Sequence, residues 1–537
     1  MPSPGPNHAT GVESFEDSNF VFGSVQRIDL ANTPIGGEAA LACNFARRDR
    51  ADASIVPLGG GPSAKIKHVF FILHENKTFD SMLGADASRF GPFASTRFAA
   101  RGGAAADDPQ YTGVDPNTRI LAGAFATAVN YYSDSEESDA GHQYCASGTA
   151  TDYTEKTLLV KDGRGLLVNK NFEPEDYPAG GYIFNNAARH GVSFKDYGDL
   201  VRIAGTDTGT NRPTKLDDPR SGKDGYPVRD GDPRTDVGDV DSPTAALGQS
   251  YALELPVLAV LGGKNANGEP RLDRDYPGYN FNISDQRRAK AFVDDFDRMA
   301  RDGTLPTFLY IYEPNDHTGC DQAINLPAPT AAQQVGDGDV GLGMVVQHIM
   351  SSPVYYNSKT GEGSAIFITY DDAQSTRDHI HPHRTPLMVV SPYAKPGFVA
   401  KRHYSTASIV KTEELLLGLP PNNLGDLLAT DLRDLFQDSY NRITADDLSF
   451  DRVVAYAPSP EGRRIWDLTR QLDTSAPDRD SRRLGALARA SMAADRLHAD
   501  AARANQLNAE EYRERQEELY HVAQAIVRTG APGDADD

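Results

Sequence analysis

The sequence predicts an α/β fold in which a mostly parallel central sheet carries helices on both faces. Two observations predict it. Four short, nearly continuous apolar runs recur along the chain: IKHVFFIL at 66–73, TFLYIY at 307–312, AIFITY at 365–370 and LMVVS at 387–391. Runs of that kind mark strands buried on both faces. Between them lie stretches with helical spacing, DQRRAKAFVDDFDRMAR at 285–301 and GDVGLGMVVQHIMS at 338–351. Strands that alternate with helices pair in parallel through crossovers.

Taken in order, residues 1–64 are punctuated by Gly and Pro and run into the linker PLGGGPSAK. Within them, FGSVQRIDL reads as one strand of an incomplete β unit. The texture changes at Ile66, where the first buried strand begins. NYYSDSEESDAGHQYCASGTATDYTEK (130–156) opens with a short strand-like piece and continues as a helix from Asp139 to Lys156. Residues 203–247 are dense in Asp, Gly, Pro and Arg, which reads as a long excursion bordering the site or as an insertion. TASIVKTEELLLG (406–418) forms another helix, closed by Gly418. From about 475 to 529 the chain is rich in Ala, Arg and Glu at helical spacing, a helical appendage, and GAPGDADD at the end is expected to be disordered. These boundaries give an N-terminal extension (1–64), one large domain (65–440, with 203–247 inserted) and a C-terminal segment with a helical tail (441–537).

At 537 residues the chain has ample length for a large core, and its 39% hydrophobic and 24% charged residues are those of a globular protein. With 54 basic against 76 acidic residues the net charge is −22. That surplus disfavours nucleic acid, whose backbone needs a cationic face. It suits a protein that binds cations, and an anionic substrate then requires local positive charge. No run of 18 apolar residues is present, so no membrane span is expected. The first residues lack the basic and apolar regions of a signal peptide, which points to the cytoplasm. Only Cys43, Cys145 and Cys320 occur, without paired spacing, so any metal must be held by carboxylate, amide and imidazole groups.

The chemistry concentrates where apolar strands stop. Strand 66–73 ends in His74-Glu75-Asn76-Lys77, strand 307–312 in Glu313-Pro314-Asn315-Asp316-His317, and strand 365–370 in Asp371-Asp372, followed by Asp378, His379, His381 and His383. In an open parallel sheet, sites form beyond the carboxyl ends of the strands. One such cluster alone reads equally well as a helix cap or a solvated turn; three on successive strands are harder to dismiss. The adjacent Asp371 and Asp372 repel unless a cation neutralises them. Their donor set suits zinc, magnesium, manganese or calcium without choosing among them. Ser138, at the start of its helix, lies in positive potential near free N–H groups, which favours an alkoxide or a phosphoryl group as well as a simple cap.

IKHVFFILHENKTFDSMLG (66–84) resembles the opening signature, E-N-R-[ST]-[FY]-D after an apolar strand, of the bacterial phosphoesterase family that contains phospholipases C and acid phosphatases. That family lies within the alkaline phosphatase superfamily. ITYDDAQSTRDHIHPHRTPLMVVSPYAKPG (368–397) is similar to its second signature, and STASIVKTEELLLGLP (405–420) to the helix that follows. SDAGHQYCASG (138–148) is similar in length and pattern to the nucleophile segment T-F-P-N-H-Y-x-x-x-T-G of related nucleotide phosphodiesterases, with Ser138 in the place of the threonine and His142 in that of the histidine. The resemblance implies an alkaline-phosphatase-like three-layer α/β sandwich, one or two divalent metal ions and hydrolysis of phosphate esters through a phosphoserine.

The same resemblance implies roles for particular residues. Ser138 is the expected nucleophile, with Glu75, Asp371 and Asp372 as metal ligands and Asn76 and Lys77 contacting metal or phosphate. His142 is implied as catalytic. Asp316, His317, His379 and His383 are candidates for a second metal site or for proton delivery to the leaving group. Lys77 stands where the family usually has arginine and keeps the charge without the bidentate geometry, and His381, beside Pro382, is expected to be an exposed loop residue. Residues 19–58 faintly resemble the last blade of a β-propeller that precedes this domain in some larger relatives; members of the family are often periplasmic or secreted, so the expected localisation is divided between the cytoplasm and export. A phosphomonoesterase is the expected activity; a phospholipase C-like phosphodiesterase and a non-catalytic metal-binding protein of the same fold are the alternatives.

Overall fold

The structure is a computed structural model. It describes residues 55–96, 114–157, 178–200, 260–273, 284–317, 331–373, 378–451, 460–471 and 509–529, apart from 59, 136 and 137, together with a few isolated positions. The possible propeller remnant at 19–58 therefore lies almost wholly outside the described residues. Of the 203–247 excursion, only the paired strands Thr206–Asp207 and Arg212–Pro213 are described.

The central sheet is built from β1 (Ile66–His74), β2 (Ala126–Ala128), β3 (Phe194–Tyr197), β4 (Phe308–Tyr312), β5 (Tyr356–Asn357), β6 (Glu362–Tyr370), β7 (Leu387–Val390) and β8 (Val399–Ala400). Its order is β8-β2-β7-β6-β1-β4-β3, with β5 paired to β6. β1 is central and pairs in parallel with both β4 and β6. It is buried from Val69 to His74, which is why its apolar run is unbroken.

β7 and the short β5 run against the rest of the sheet. The sequence suggested another member of the parallel set, but β7 pairs antiparallel with β6 and with β2. A parallel return needs a crossover, usually a helix. No helix occurs among the described residues between Tyr370 and Leu387.

Helices cover both faces. They are α1 (Phe79–Leu83), α2 (Pro116–Ala124), α3 (Ser138–Ser147), α4 (Ile183–Arg189), α5 (Asp285–Asp302), α6 (Ala331–Met350) and α7 (Thr406–Leu417). Successive residues of a strand point to opposite faces. Phe70 packs on Phe292 and Phe296 of α5. Phe71 packs on Tyr310, which meets Phe184 of α4. The buried residues Arg288, Ala289, Phe292, Phe296 and Met299 form one stripe along α5, with Ser284 capping its start and Gly303, at φ 71°, closing its end. Gly418 ends α7 at φ 73°, and a Cβ there would lie 2.5 Å from Pro62 N, so glycine is required twice over.

A second, smaller core lies at the C-terminal end. Ile465, Leu468, Leu487, Ala494, Ala523 and Ile526 pack together, and the final helix α8 (Ala509–Thr529) completes it. Arg464 joins α8 through Glu517 at 2.8 Å and lies 3.6 Å over the ring of Tyr520.

Candidate active site

β4, β1 and β6 end level with one another, since Leu73 pairs with Tyr312 and His74 with Tyr370. Glu313, Glu75 and Asp371 therefore leave the sheet side by side at its carboxyl edge. Just beyond β1, Asn76 adopts φ 55°, a left-handed conformation costing a side-chain-bearing residue about 1 kcal/mol. Its N–H donates to Asp371 Oδ1 at 3.0 Å, which holds the turn.

α3 brings in the hydroxyl. Ser133, on the segment leading into it, donates to Asp371 O at 2.9 Å. Gly141 lets the helix settle against the end of β6: a Cβ there would stand 2.7 Å from Asp371 O. Ser138, the first residue of α3, donates from Oγ to Asp372 Oδ2 at 2.9 Å and accepts from Asn76 Nδ2 at 3.1 Å; Glu75 Oε2 is 3.5 Å away. The helix begins at Ser138, not after it as the sequence suggested, and it stops at Ser147, where Gly148 turns at φ 69°.

His142 lies one turn further along α3. Its Nε2 is 3.2 Å from Glu75 Oε1 and 3.8 Å from Asp371 Oδ2, and its Nδ1 is 2.9 Å from Asp199 Oδ1. The ring stands edge-on to Tyr312, whose hydroxyl donates to Glu75 Oε1. Burial and the neighbouring Asp371 charge push the Glu75 carboxyl up to about 8, against the hydrogen bonds from His142 and Tyr312. Burial disfavours a charged imidazole at His142, but Asp199 and Glu75 outweigh it and hold the ring well above its ordinary value.

The donor set fits a divalent cation. One ligand atom each from Glu75, His142 and Asp371 lie within 4.8 Å of one another. Asp371 Oδ2 is buried and accepts no hydrogen bond among the described residues. An uncompensated carboxylate oxygen in a dry site is costly, and a bound ion removes that cost. Lys77 is buried nearby and reaches Asn76 O at 3.4 Å; burial lowers its pKa while Asp316, Asp372, Glu75 and Asp371 oppose the shift.

The residues suggested for a second metal site do not share one place. Asp316 accepts from Glu75 N at 3.1 Å and pairs with His74 Nδ1 at 3.4 Å, so it braces β1 from behind. His317 closes a turn onto Pro314 O at 3.0 Å. His379 hydrogen-bonds Asp80, and His383 Nδ1 faces Ser133 O at 3.2 Å. A second group of carboxylates and imidazole exists, but it joins Asp80, Asp378 and His379 instead. His381 is half-buried against Tyr132, not exposed, because its Nδ1 accepts the His383 N–H.

Sequence reasoning missed Asp199 and Tyr312. Tyr312 was legible only as the last residue of an apolar strand; its pairing with Leu73, two residues before Glu75, was not. Asp199 was harder, because it follows β3, where Lys195 and Asp196 break the apolar pattern. Lys195 is tolerated there by its pairs with Asp273 at 3.0 Å and Asp295 at 2.5 Å.

Among solved structures, the chain is similar to a protein of the alkaline phosphatase superfamily from Vibrio parahaemolyticus (13% identity, 72% of this chain and 76% of that one, TM-score 0.38). It is also similar to phosphonate monoester hydrolases from Silicibacter pomeroyi (15% identity, 70% and 78% covered, TM-score 0.36) and Agrobacterium radiobacter (13% identity, 70% and 78% covered, TM-score 0.38). No curated protein matches the chain. The model of the phosphoesterase family matches residues 116–420, a span that includes Ser138, Asp371 and Asp372 and begins after Glu75 and Asn76. Since that match takes in more than half of its length, the chain belongs to the phosphoesterase family and is a hydrolase of phosphoric ester bonds.

Proposed function

We propose that the chain is a metal-dependent phosphomonoesterase that works through a phosphoserine at Ser138. One observation carries this reading: the Ser138 hydroxyl stands at a helix N-terminus, hydrogen-bonded to Asp372 and Asn76, beside Glu75 and Asp371. Asp372 orients the hydroxyl and accepts its proton as Oγ attacks phosphorus. The ester P–O bond breaks as the new one forms, and the alcohol leaves. Asn76 Nδ2 and the first N–H groups of α3 stabilise negative charge on Oγ and on the transferred group. Water then cleaves the phosphoserine. Glu75, Asp371 and Asp372 would hold the cation, which neutralises charge on the phosphoryl oxygens and lowers the pKa of the hydroxyl.

The closed setting supports a small monoester. Glu75, Asn76 and Lys77 are all buried around the half-buried Ser138. The exposed apolar ridge of Leu424, Leu427 and Leu428 lies at the opposite end of α3, where Asn423 bonds Ser147 O. Hydrolysis of a chromogenic phosphomonoester and its phosphodiester, with and without chelator, tests the reading. Chelator-sensitive turnover of the monoester is expected, together with a phosphoryl adduct on the Ser138 peptide after acid quenching. Faster turnover of the diester favours the phospholipase C-like alternative, and no chelator-sensitive turnover of either favours a metal-binding protein of the same fold.

A further inference from the structure

We propose that His142 is a ligand of the site's cation, held in place by Asp199, and that the site consequently selects an imidazole-accepting transition ion such as zinc over calcium or magnesium. The inference rests on the metal site of the preceding reading and names the class of ion it takes.

The geometry is that of a ligand. His142 Nε2 faces Glu75 Oε1 at 3.2 Å and Asp371 Oδ2 at 3.8 Å. Two donors bound to one ion at about 2.0–2.2 Å stand roughly 3–3.6 Å apart, so both spacings are close to those of groups sharing an ion. Asp371 Oδ2 points into the same space and accepts no hydrogen bond among the described residues.

The far side of the ring is built as well. Nδ1 lies 2.9 Å from Asp199 Oδ1, an ion pair not aligned as a hydrogen bond, and Asp199 is 3% exposed. An imidazole that binds metal through one nitrogen commonly donates the other N–H to a carboxylate, which sets the tautomer and raises the basicity of the ligating nitrogen. Gly198, at φ 90°, turns the chain beyond β3 to deliver this carboxylate. Tyr312 packs edge-on against the ring and hydrogen-bonds Glu75, so one side chain positions two donors. Calcium, magnesium and manganese are well served by oxygen ligands, whereas imidazole suits zinc. A nitrogen fixed this firmly biases the site toward zinc.

The test uses the full chain, stripped with chelator and titrated calorimetrically with Zn²⁺, Mn²⁺, Ca²⁺ and Mg²⁺. Wild type is expected to bind Zn²⁺ at least 100-fold more tightly than Ca²⁺. Asp199→Asn is expected to lose about 10- to 100-fold in Zn²⁺ affinity, and His142→Ala more, with Ca²⁺ affinity nearly unchanged in both. A measurement free of variants accompanies it: pulsed EPR of the Mn²⁺-loaded wild type, prepared with ¹⁵N-histidine, should show hyperfine coupling to an imidazole nitrogen. Absence of that coupling, or Zn²⁺ binding to both variants as to wild type, overturns the proposal while leaving a metal-dependent phosphoesterase intact. A wild-type chain that takes up none of the four ions overturns both readings.

Discussion

Two clusters of carboxylate and imidazole lie beyond the strand ends and differ in whether an arginine bonds their carboxylates. In the Asp80–Asp378–His379 group the charge is built in. Arg384, fully buried, donates to Asp378 Oδ1 at 2.9 Å, Asp378 Oδ2 at 2.8 Å and Asp80 Oδ1 at 3.1 Å. The N–H groups of Ser95 and His379 complete the shell of Asp80, and those of Asp80, Ile380 and His381 that of Asp378. Around Ser138, no arginine bonds Glu75, Asp371 or Asp372 among the described hydrogen bonds, Glu75 is pushed up to about 8, and Asp371 keeps an oxygen without a hydrogen bond. The same residue types therefore make a structural knot where a buried arginine bonds both carboxylates directly, and a chemical site where Lys77 and His142 are the nearby cations and Asp371 keeps an oxygen free of hydrogen bonds among the described residues.

The largest expected effect separates the two clusters by function. Ser138→Ala should lower turnover by about 1,000-fold or more, a barrier increase of roughly 4 kcal/mol, while its urea midpoint stays close to wild type. Turnover by the variant near the wild-type rate, at equal metal content, would remove Ser138 from the reaction. Arg384→Met is the reciprocal case. It leaves two buried carboxylates uncompensated and should cost about 3–5 kcal/mol of stability, read by urea denaturation; a cost below 1 kcal/mol would break the comparison.

A smaller effect is expected from Gly141→Ala. The added methyl meets Asp371 O and forces α3 away from β6, so about 1–3 kcal/mol of stability should be lost, with weaker metal binding measured by calorimetry. The last effect is a slope, spread over several pH units. Glu75 is raised in the folded chain, so between its unfolded value near 4.5 and about 8 the metal-free native state binds more protons than the unfolded state. Stability should then fall as pH rises through that window. Glu75→Gln should flatten its part of the slope, and a saturating divalent ion should offset the loss at high pH. A slope unchanged by the substitution would mean that Glu75 does not titrate there.

Much of the architecture was legible along the chain. The runs at 66–73, 307–312 and 365–370 became β1, β4 and β6, and the amphipathic stretch at 285–301 became α5. Burial on both faces writes itself into consecutive residues, so these elements can be read locally. β3 was not legible, since its buried Lys195 is neutralised by Asp273 and Asp295, far away in sequence. Nor was the direction of β7, which depends on how the intervening chain returns.

By itself the sequence determined the strands buried in unbroken apolar runs, the amphipathic helix at 285–301, and that acidic residues follow several strands. Only the tertiary structure decided which of those acids meet. The pairing of Leu73 with Tyr312 and of His74 with Tyr370 sets Glu75 beside Asp371, while Arg384 draws Asp80 and Asp378 into a separate knot. The physical reason is range: hydrophobic periodicity acts over a few residues, whereas the contact between Asn76 and Asp371 joins positions 295 apart and exists only when register, strand direction and the close approach at Gly141 hold together.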